Sequence, residues 1–172
     1  GATTVDAYFP DERWYSWTVS STINTAGIES KYRNTWATLT VNPDDIKIYQ
    51  KGGTIVPTSF PNTGLNTAEI RKNPFDILIA LDDVNTATGA LYWDNGETRD
   101  ANKTSWTTFN ADLNLIKFTQ VSTNEDEAGD ELDLGWIVIF GVPKDENKYN
   151  QFTYFSYVQN GISGIILADD IS

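Results

Sequence analysis

Three pairs of acidic side chains lie close enough in sequence to act together: Asp44 with Asp45, Asp82 with Asp83, and Asp94 with Glu97. Two carboxyl groups at a fixed separation are what cleavage of a glycosidic bond requires, one protonating the leaving oxygen while the other attacks or activates water. Each pair, however, sits among residues that read as a turn, where aspartate is favoured because its side chain bonds nearby backbone. Turn formation accounts for all three pairs, and no catalytic residue is assigned. The rest of the composition closes other routes. Among 172 residues there is no histidine and no cysteine. That removes the commonest general base and metal ligand, along with thiolate nucleophiles, disulfides and thiolate metal sites. Carboxylate chemistry and oxygen-ligated cations are what remain.

Calcium needs only oxygen ligands, and residues 124–133 (N-E-D-E-A-G-D-E-L-D) are rich in them. The segment nevertheless fails the helix–loop–helix calcium template. Ala128 stands where a ligand is wanted, and Gly135 where the bidentate glutamate belongs. It reads as a solvated loop, so no metal site and no cofactor are expected. Aromatic side chains offer a different chemistry, since sugar rings stack on indole and phenol faces. Trp14, Trp17, Trp36 and Trp106 lie near expected loops and are the candidate carbohydrate-binding residues. Asn102-Lys103-Thr104 has the N-x-[ST] pattern, which makes Asn102 a glycan acceptor if the chain is secretory.

A formal net charge of −12 makes nucleic acid an unsuitable partner, because binding to phosphate backbones needs clustered lysine and arginine. No apolar run approaches the roughly 18 residues of a membrane-spanning helix, and no membrane partner is expected. The opening residues Gly1-Ala2-Thr3-Thr4-Val5 show no basic region followed by an apolar stretch, so no signal peptide is expected within them. With aromatic content at 13%, ring packing should dominate the core.

The elements that would position these residues read as strands. Phe75, Ile77, Ile79 and Leu81 alternate with Asp76, Leu78 and Ala80, at the period of two of a pleated strand. Residues 134–140 (L-G-W-I-V-I-F) form a short β-branched and aromatic run of the kind buried on both faces. Further strands are expected at 46–49, 54–56, 90–93, 113–121, 152–158 and 164–167. Turn residues separate them, notably Gly52-Gly53, Asn62-Thr63-Gly64, Asp94-Asn95-Gly96 and Asn160-Gly161. The expected class is all-β, with two small antiparallel β-sandwich domains in tandem. The division is placed at Asn73-Pro74, where proline pushes its predecessor out of the helical region and a strand begins at once. That makes residues 1–73 one sandwich and residues 74–172 the other.

Several segments together resemble the C-terminal region of glycoside hydrolase family 31, the α-glucosidase-like enzymes. The resemblance begins with Val5-Asp6-Ala7-Tyr8-Phe9-Pro10 and Arg13-Trp14-Tyr15, and continues through residues 46–57 (I-K-I-Y-Q-K-G-G-T-I-V-P). It resumes in residues 71–82 (R-K-N-P-F-D-I-L-I-A-L-D) and 89–100 (G-A-L-Y-W-D-N-G-E-T-R-D), and more loosely in 134–142. Three positions depart from the family pattern. Lys51 replaces an arginine before the glycine pair, Asn95 the second aspartate of a W-D-D-G turn, and Ser16-Trp17 a D-Y dipeptide.

The resemblance implies a proximal-type sandwich over residues 1–73 and a distal-type one over 74–172, packed behind a (β/α)8 barrel. In the family, two acidic residues of that barrel carry out a retaining cleavage, the nucleophile lying in a W-x-D-M-N-E motif. No such motif occurs here, and a barrel needs about 250 residues. The chain is therefore expected to be a non-catalytic module of a glycoside hydrolase, not an enzyme by itself. The alternative is a free-standing secreted structural or carbohydrate-binding protein derived from the module. Its implied partners are a catalytic barrel or another protein chain, with carbohydrate as a second ligand. The implied location is the secretory pathway, extracellular or lysosomal. Two local expectations follow. Tyr8, Phe9, Trp14, Tyr15 and Ile55 should form an apolar outer patch left by the barrel, and Asp94 should open a tight turn with Asn95 and Gly96 at positive φ.

Overall fold

The computed structural model describes residues 2–17, 28–42, 46–59, 66–94, 104–113, 115–122, 134–143, 155–159 and 162–166. Strands dominate, and the only helix among the described residues is the single turn α1 (Thr67–Ile70). Asn66 caps it, its side-chain oxygen accepting the Glu69 N–H at 3.0 Å. The all-β class holds.

Two small sheets occupy the N-terminal third. β1 (Thr4–Phe9) pairs antiparallel with β4 (Thr35–Thr40), in a register that sets Phe9 against Thr35 and Tyr8 against Trp36. Alternation sorts the two strands cleanly: Phe9, Ala37 and Leu39 are buried, while Tyr8 and Trp36 point the other way into solvent. Phe9 anchors that core by stacking on Tyr32 at 5.2 Å and meeting Tyr49 and Trp14 edge-on at 4.8 and 5.8 Å. Pairs of this kind contribute about 0.5–1.5 kcal/mol each beyond area burial. The second sheet orders β3 (Ile28–Glu29), β2 (Trp14–Trp17) and β5 (Ile48–Lys51), with β2 in the middle.

The main sheet has six strands: β10 (Ile116–Ser122), β9 (Thr104–Ala111), β8 (Ala87–Asp94), β6 (Thr54–Thr58), β7 (Phe75–Ala80) and β11 (Leu134–Phe140), in that spatial order. One face carries the largest core, built on Ile55, Ile77, Ile79, Leu81, Ala87 and Phe109. Leu78 and Ala80 belong to the opposite face, where they meet Tyr15 and Phe140. β7 is thus buried on both sides, which explains its near-continuous apolar sequence. A separate antiparallel pair is formed by β12 (Phe155–Gln159) and β13 (Ile162–Ile166).

Two observations differ from the sequence expectation. Pairing was expected to be antiparallel throughout, yet β7 and β11 run parallel, and β6 meets β8 in parallel at Thr54 and Thr88. β10 precedes β11 in sequence but lies at the far edge of the sheet, so β11 arrives by a crossover. A crossover permits the parallel direction that a hairpin forbids. The division expected at 73–74 also falls inside this sheet's strand set: β6, from its N-terminal side, bonds along β7 from Thr54↔Ala80 to Thr58↔Asp76. Proline at 74 marks where a strand starts, and a strand start does not end a sheet. Five of the observed strands had no counterpart in the sequence reading, namely β1, β2, β3, β4 and β9. β4 and β9 are rich in threonine, which β-branching favours in strands but which interrupts any hydrophobic run.

Candidate functional site: the seam between the sheets

Four of the segments that carry the family resemblance, 13–15, 46–57, 71–82 and 134–142, lie far apart in sequence and meet at one place, the junction between the β2 sheet and the main sheet. Tyr15 in β2 is wholly buried there. Its ring stacks on Phe140 of β11 at 5.8 Å, and its hydroxyl donates to the Leu81 carbonyl at 2.7 Å. Leu81 in turn donates its N–H to the Phe140 carbonyl at 3.1 Å. Burial pushes the Tyr15 hydroxyl up to about 12, because the phenolate would have to form away from water.

Gly52 and Gly53 make the turn by which the chain leaves β5 in one sheet and enters β6 in the other. Gly52 donates to the Arg13 carbonyl at 2.7 Å, and Gly53 to the Ala80 carbonyl at 2.8 Å. A Cβ on Gly52 would sit 3.0 Å from the Arg13 Cβ and 3.1 Å from the Leu81 oxygen, while Gly53 has φ +82°. Glycine is required at the first position by close approach and at the second by backbone conformation. Gly141, just after β11, has φ +83°, and a Cβ there would run into the Tyr15 hydroxyl.

Arg13 ties the seam electrostatically. Its Nε and Nη2 donate to the two carboxylate oxygens of Glu29 at 3.0 and 2.8 Å, and its Nη1 donates to the Asp82 carbonyl at 3.0 Å. That paired hydrogen bond holds the Glu29 carboxyl below its ordinary value. A second arginine, Arg33, reaches Asp83 with two hydrogen bonds at 2.9 and 2.7 Å and Asp11 at 2.6 Å. Gln50, buried at the end of β5, donates to the Leu78 carbonyl at 3.0 Å and links its sheet directly to β7.

These bonds also settle what the paired carboxylates are doing. Asp82 accepts the N–H groups of Val84 and Thr86 at 3.0 and 2.8 Å on one oxygen and the Thr86 hydroxyl at 3.0 Å on the other. It is a turn-forming aspartate. Asp83 is held below the usual carboxylate range by its hydrogen bonds to Arg33. Asp94 lies 3.8 Å from the Arg71 guanidinium. Asp44, Asp45 and Glu97 lie outside the described residues. No acid–base pair is assembled by the carboxylates that are described.

The aromatic candidates do not gather in one place. Trp14 faces the Phe9 cluster, and its indole N–H donates to the Pro10 carbonyl at 3.2 Å. Trp36 projects from the opposite side of the β1–β4 pair, 71% exposed, with its ring 5.5 Å from Tyr8. Trp106 lies on the main sheet, 48% exposed, beside Tyr92 at 6.2 Å. Trp17 ends β2 opposite Ile48. Asn102 and the acidic segment 124–133 fall outside the described residues.

The expected apolar patch is not there. Phe9, Tyr15 and Ile55 are buried within the chain and Trp14 packs in the Phe9 cluster, leaving only Tyr8 exposed. Strand alternation is the reason, since adjacent residues of a strand cannot share a face. The tight turn expected to open at Asp94 falls mostly on residues outside the described ones. β8 and β9 are paired through Asp94↔Thr104, and residues 95–103 join them. The conformation expected for Asn95 and Gly96 lies outside the described residues. Trp93 does pack as expected, edge-on to Phe75 at 5.0 Å and under the Arg71 guanidinium at 4.0 Å. Sequence reading missed Tyr92 and the linking roles of Arg13 and Gln50. For Tyr92 the signal was present, because period-two alternation opposes it to the inward Leu91 and Trp93.

Comparison with known proteins follows the same segments. Residues 1–56 match the glycosyl hydrolase family 31 C-terminal domain. The chain carries a family 31 C-terminal region. This family 31 region is 37% identical to intestinal sucrase-isomaltase of Oryctolagus cuniculus over 100 residues, 58% of this chain and 5% of that protein. It is 36% identical to glucoamylase 1 of Candida albicans over 118 residues, 67% of this chain and 12% of that protein. In fold it resembles the glucosidase II alpha subunit, at TM-score 0.71 and 18% identity, over 96% of this chain and 18% of that one. The family 31 region thus spans only a small fraction of each relative's length.

Proposed function

We propose that this chain is the non-catalytic C-terminal β module of an α-glucosidase-like glycoside hydrolase, providing structural support and a packing surface for a catalytic barrel. The observation that carries the reading is the seam. Arg13, Tyr15, Gly52, Gly53 and Asp82, from the segments that resemble the family, are engaged in joining two sheets, and the described carboxylates form no pair for cleavage. On this reading the chain forms two β units hinged at Gly52-Gly53, a proximal-type and a distal-type sandwich, with β6 entering the sheet of the second. The exposed Tyr8–Trp36 face of β1 and β4 replaces the expected patch as the surface offered to a barrel. A location in the secretory pathway, extracellular or lysosomal, accords with an acceptor pattern at Asn102. Among the described residues no helix is long and apolar enough to cross a membrane.

The test is direct. The purified 172-residue chain, given saturating 4-nitrophenyl α-glucoside or maltose, should release product no faster than buffer. Turnover that survives repurification and disappears on one Asp or Glu substitution in this chain overturns the proposal. A second reading, a free-standing secreted structural or carbohydrate-binding protein, is favoured by one observation: Phe9, Tyr15 and Ile55 are buried in cores formed by this chain. The gene separates the two readings, because a barrel-coding segment directly upstream of Gly1 supports the first and its absence the second.

A further inference from the structure

Tyr92 and Trp106 stand directly opposite each other on β8 and β9, their rings 6.2 Å apart at 62° and each about half exposed. Large aromatics at the centre of a sheet are normally covered, and on the same face of this sheet Leu78, Ala80 and Phe140 are covered by Tyr15. The Tyr92–Trp106 end of the face is open. Its neighbours are small and polar. Ala90 opposes Thr108, and Thr88 opposes Asn110, so hydroxyls, an amide and a methyl surround the two rings and leave the surface low and accessible.

The side chains that these strands present are the deciding feature. The chain as a whole carries −12, with 36 charged side chains in 172 residues. Among the described residues of β8, β9 and β10, the charged positions on this side are Asp94 at the strand end, beside Arg71, and Lys117 opposite Asn110. The platform formed by these strands lacks the cationic cluster a phosphate or acidic ligand needs. It does match an uncharged ligand that presents C–H faces to the rings and hydroxyls to the threonines and asparagine. Pyranose rings have this chemistry: one face of C–H bonds that packs against a π surface, and an equatorial rim that exchanges hydrogen bonds.

We propose that the Tyr92–Trp106 face of the main sheet is a binding platform for neutral oligosaccharide, separate from any catalytic centre. The two rings stack on successive sugar units, and Thr88, Thr108 and Asn110 read the hydroxyl rim. The proposal does not depend on a barrel partner, since the whole platform belongs to β8 and β9. Of the candidate tryptophans it selects Trp106 over Trp14 and Trp36, and it adds Tyr92.

Calorimetric titration of the 172-residue chain with maltoheptaose, and in a second series with cellohexaose, tests it. Binding of at least one sugar is expected, weakened about tenfold or more by Trp106→Ala or Tyr92→Ala, as the loss of one stacking platform implies. Trp36→Ala should leave the affinity unchanged. Ala90→Lys keeps both rings and lays a long side chain across the platform, so it should also abolish binding, and it holds if Trp106→Ala fails to fold. No binding of either sugar into the millimolar range overturns the proposal. So does binding that survives both Ala90→Lys and Tyr92→Ala. Sedimentation of the same samples addresses other occupants: a self-associating chain that becomes monomeric with Ala90→Lys, without sugar binding, makes this face a contact between copies and overturns the proposal too.

Discussion

The two ends of one sheet face behave oppositely. At the β7–β11 end, Leu78, Ala80 and Phe140 lie under Tyr15, the carbonyls of Leu78, Ala80, Leu81 and Phe140 all accept hydrogen bonds, and the crossing strand β2 seals the layer. At the β8–β9 end, Tyr92 and Trp106 occupy the same face in the same alternation and face solvent. Burial therefore does not follow from residue type here, since the larger rings are the exposed ones. It follows from whether a second layer reaches that part of the sheet. β2 and β5 are tied over β7 by Gln50, Arg13 and the Gly52-Gly53 turn, and those ties end at the β6 edge. The covered end is where stability should be concentrated, and the open end is where surface chemistry is available.

Substitution at Tyr15 should break this contrast most strongly. Tyr15→Ala removes a fully buried ring and is expected to cost about 3–5 kcal/mol, measured by urea unfolding. Tyr15→Phe keeps the ring but leaves the Leu81 carbonyl without its donor, at about 1–3 kcal/mol. The hydroxyl titrates higher in the folded chain, at about 12 against an ordinary 10.0. Its contribution is therefore complete below pH 10 and lost as the pH rises through the folded value. Tyr15→Phe should remove that part of the alkaline destabilisation, and an unchanged alkaline limb would show that the hydroxyl is solvated.

Gly141→Ala comes next. Positive φ costs roughly 1–2 kcal/mol for a residue with a side chain, and the new methyl must also displace the Tyr15 hydroxyl. Thermal unfolding should show a loss of about 2 kcal/mol or more, larger than for Gly53→Ala, where strain acts without that clash. Equal losses would mean that the seam can shift to make room.

At the open end, Trp106→Ala or Tyr92→Ala should cost less than about 1 kcal/mol, the range of a cross-strand surface pair. A loss comparable to Tyr15→Ala would place the two rings in a covered layer and erase the contrast.

The smallest effect is expected at Glu29, whose side chain is half exposed beside Arg13. Because its carboxyl titrates below the ordinary 4.5 in the folded chain, the stabilisation it provides is present above that value and is lost as the pH falls through the folded value. Glu29→Gln should flatten that acid limb while changing stability at neutral pH by no more than about 1 kcal/mol. An acid limb unaffected by the substitution would assign it to other carboxylates.

Much of this molecule is local in origin, and that part is legible in the residues. Period-two alternation in residues 75–81 and the apolar run at 134–140 specify strands because side chains of a pleated chain alternate whatever the strand pairs with. Glycine pairs and Asx residues specify turns through their own backbone preferences. The all-β class and the family resemblance rest on such segments, and the departures at Lys51, Asn95 and Ser16-Trp17 did not disturb them. What alternation leaves open is which of its two faces will be covered, because that depends on a layer contributed from elsewhere in the chain. Phe9, Tyr15 and Ile55 were expected outside and lie inside, β11 pairs in parallel with β7, and β6 crosses the expected division. Tertiary structure alone decided these, along with the meeting of Arg13, Gly52, Leu81 and Gly141 at one seam. Each depends on contacts between segments distant in sequence, whose geometry no single segment encodes.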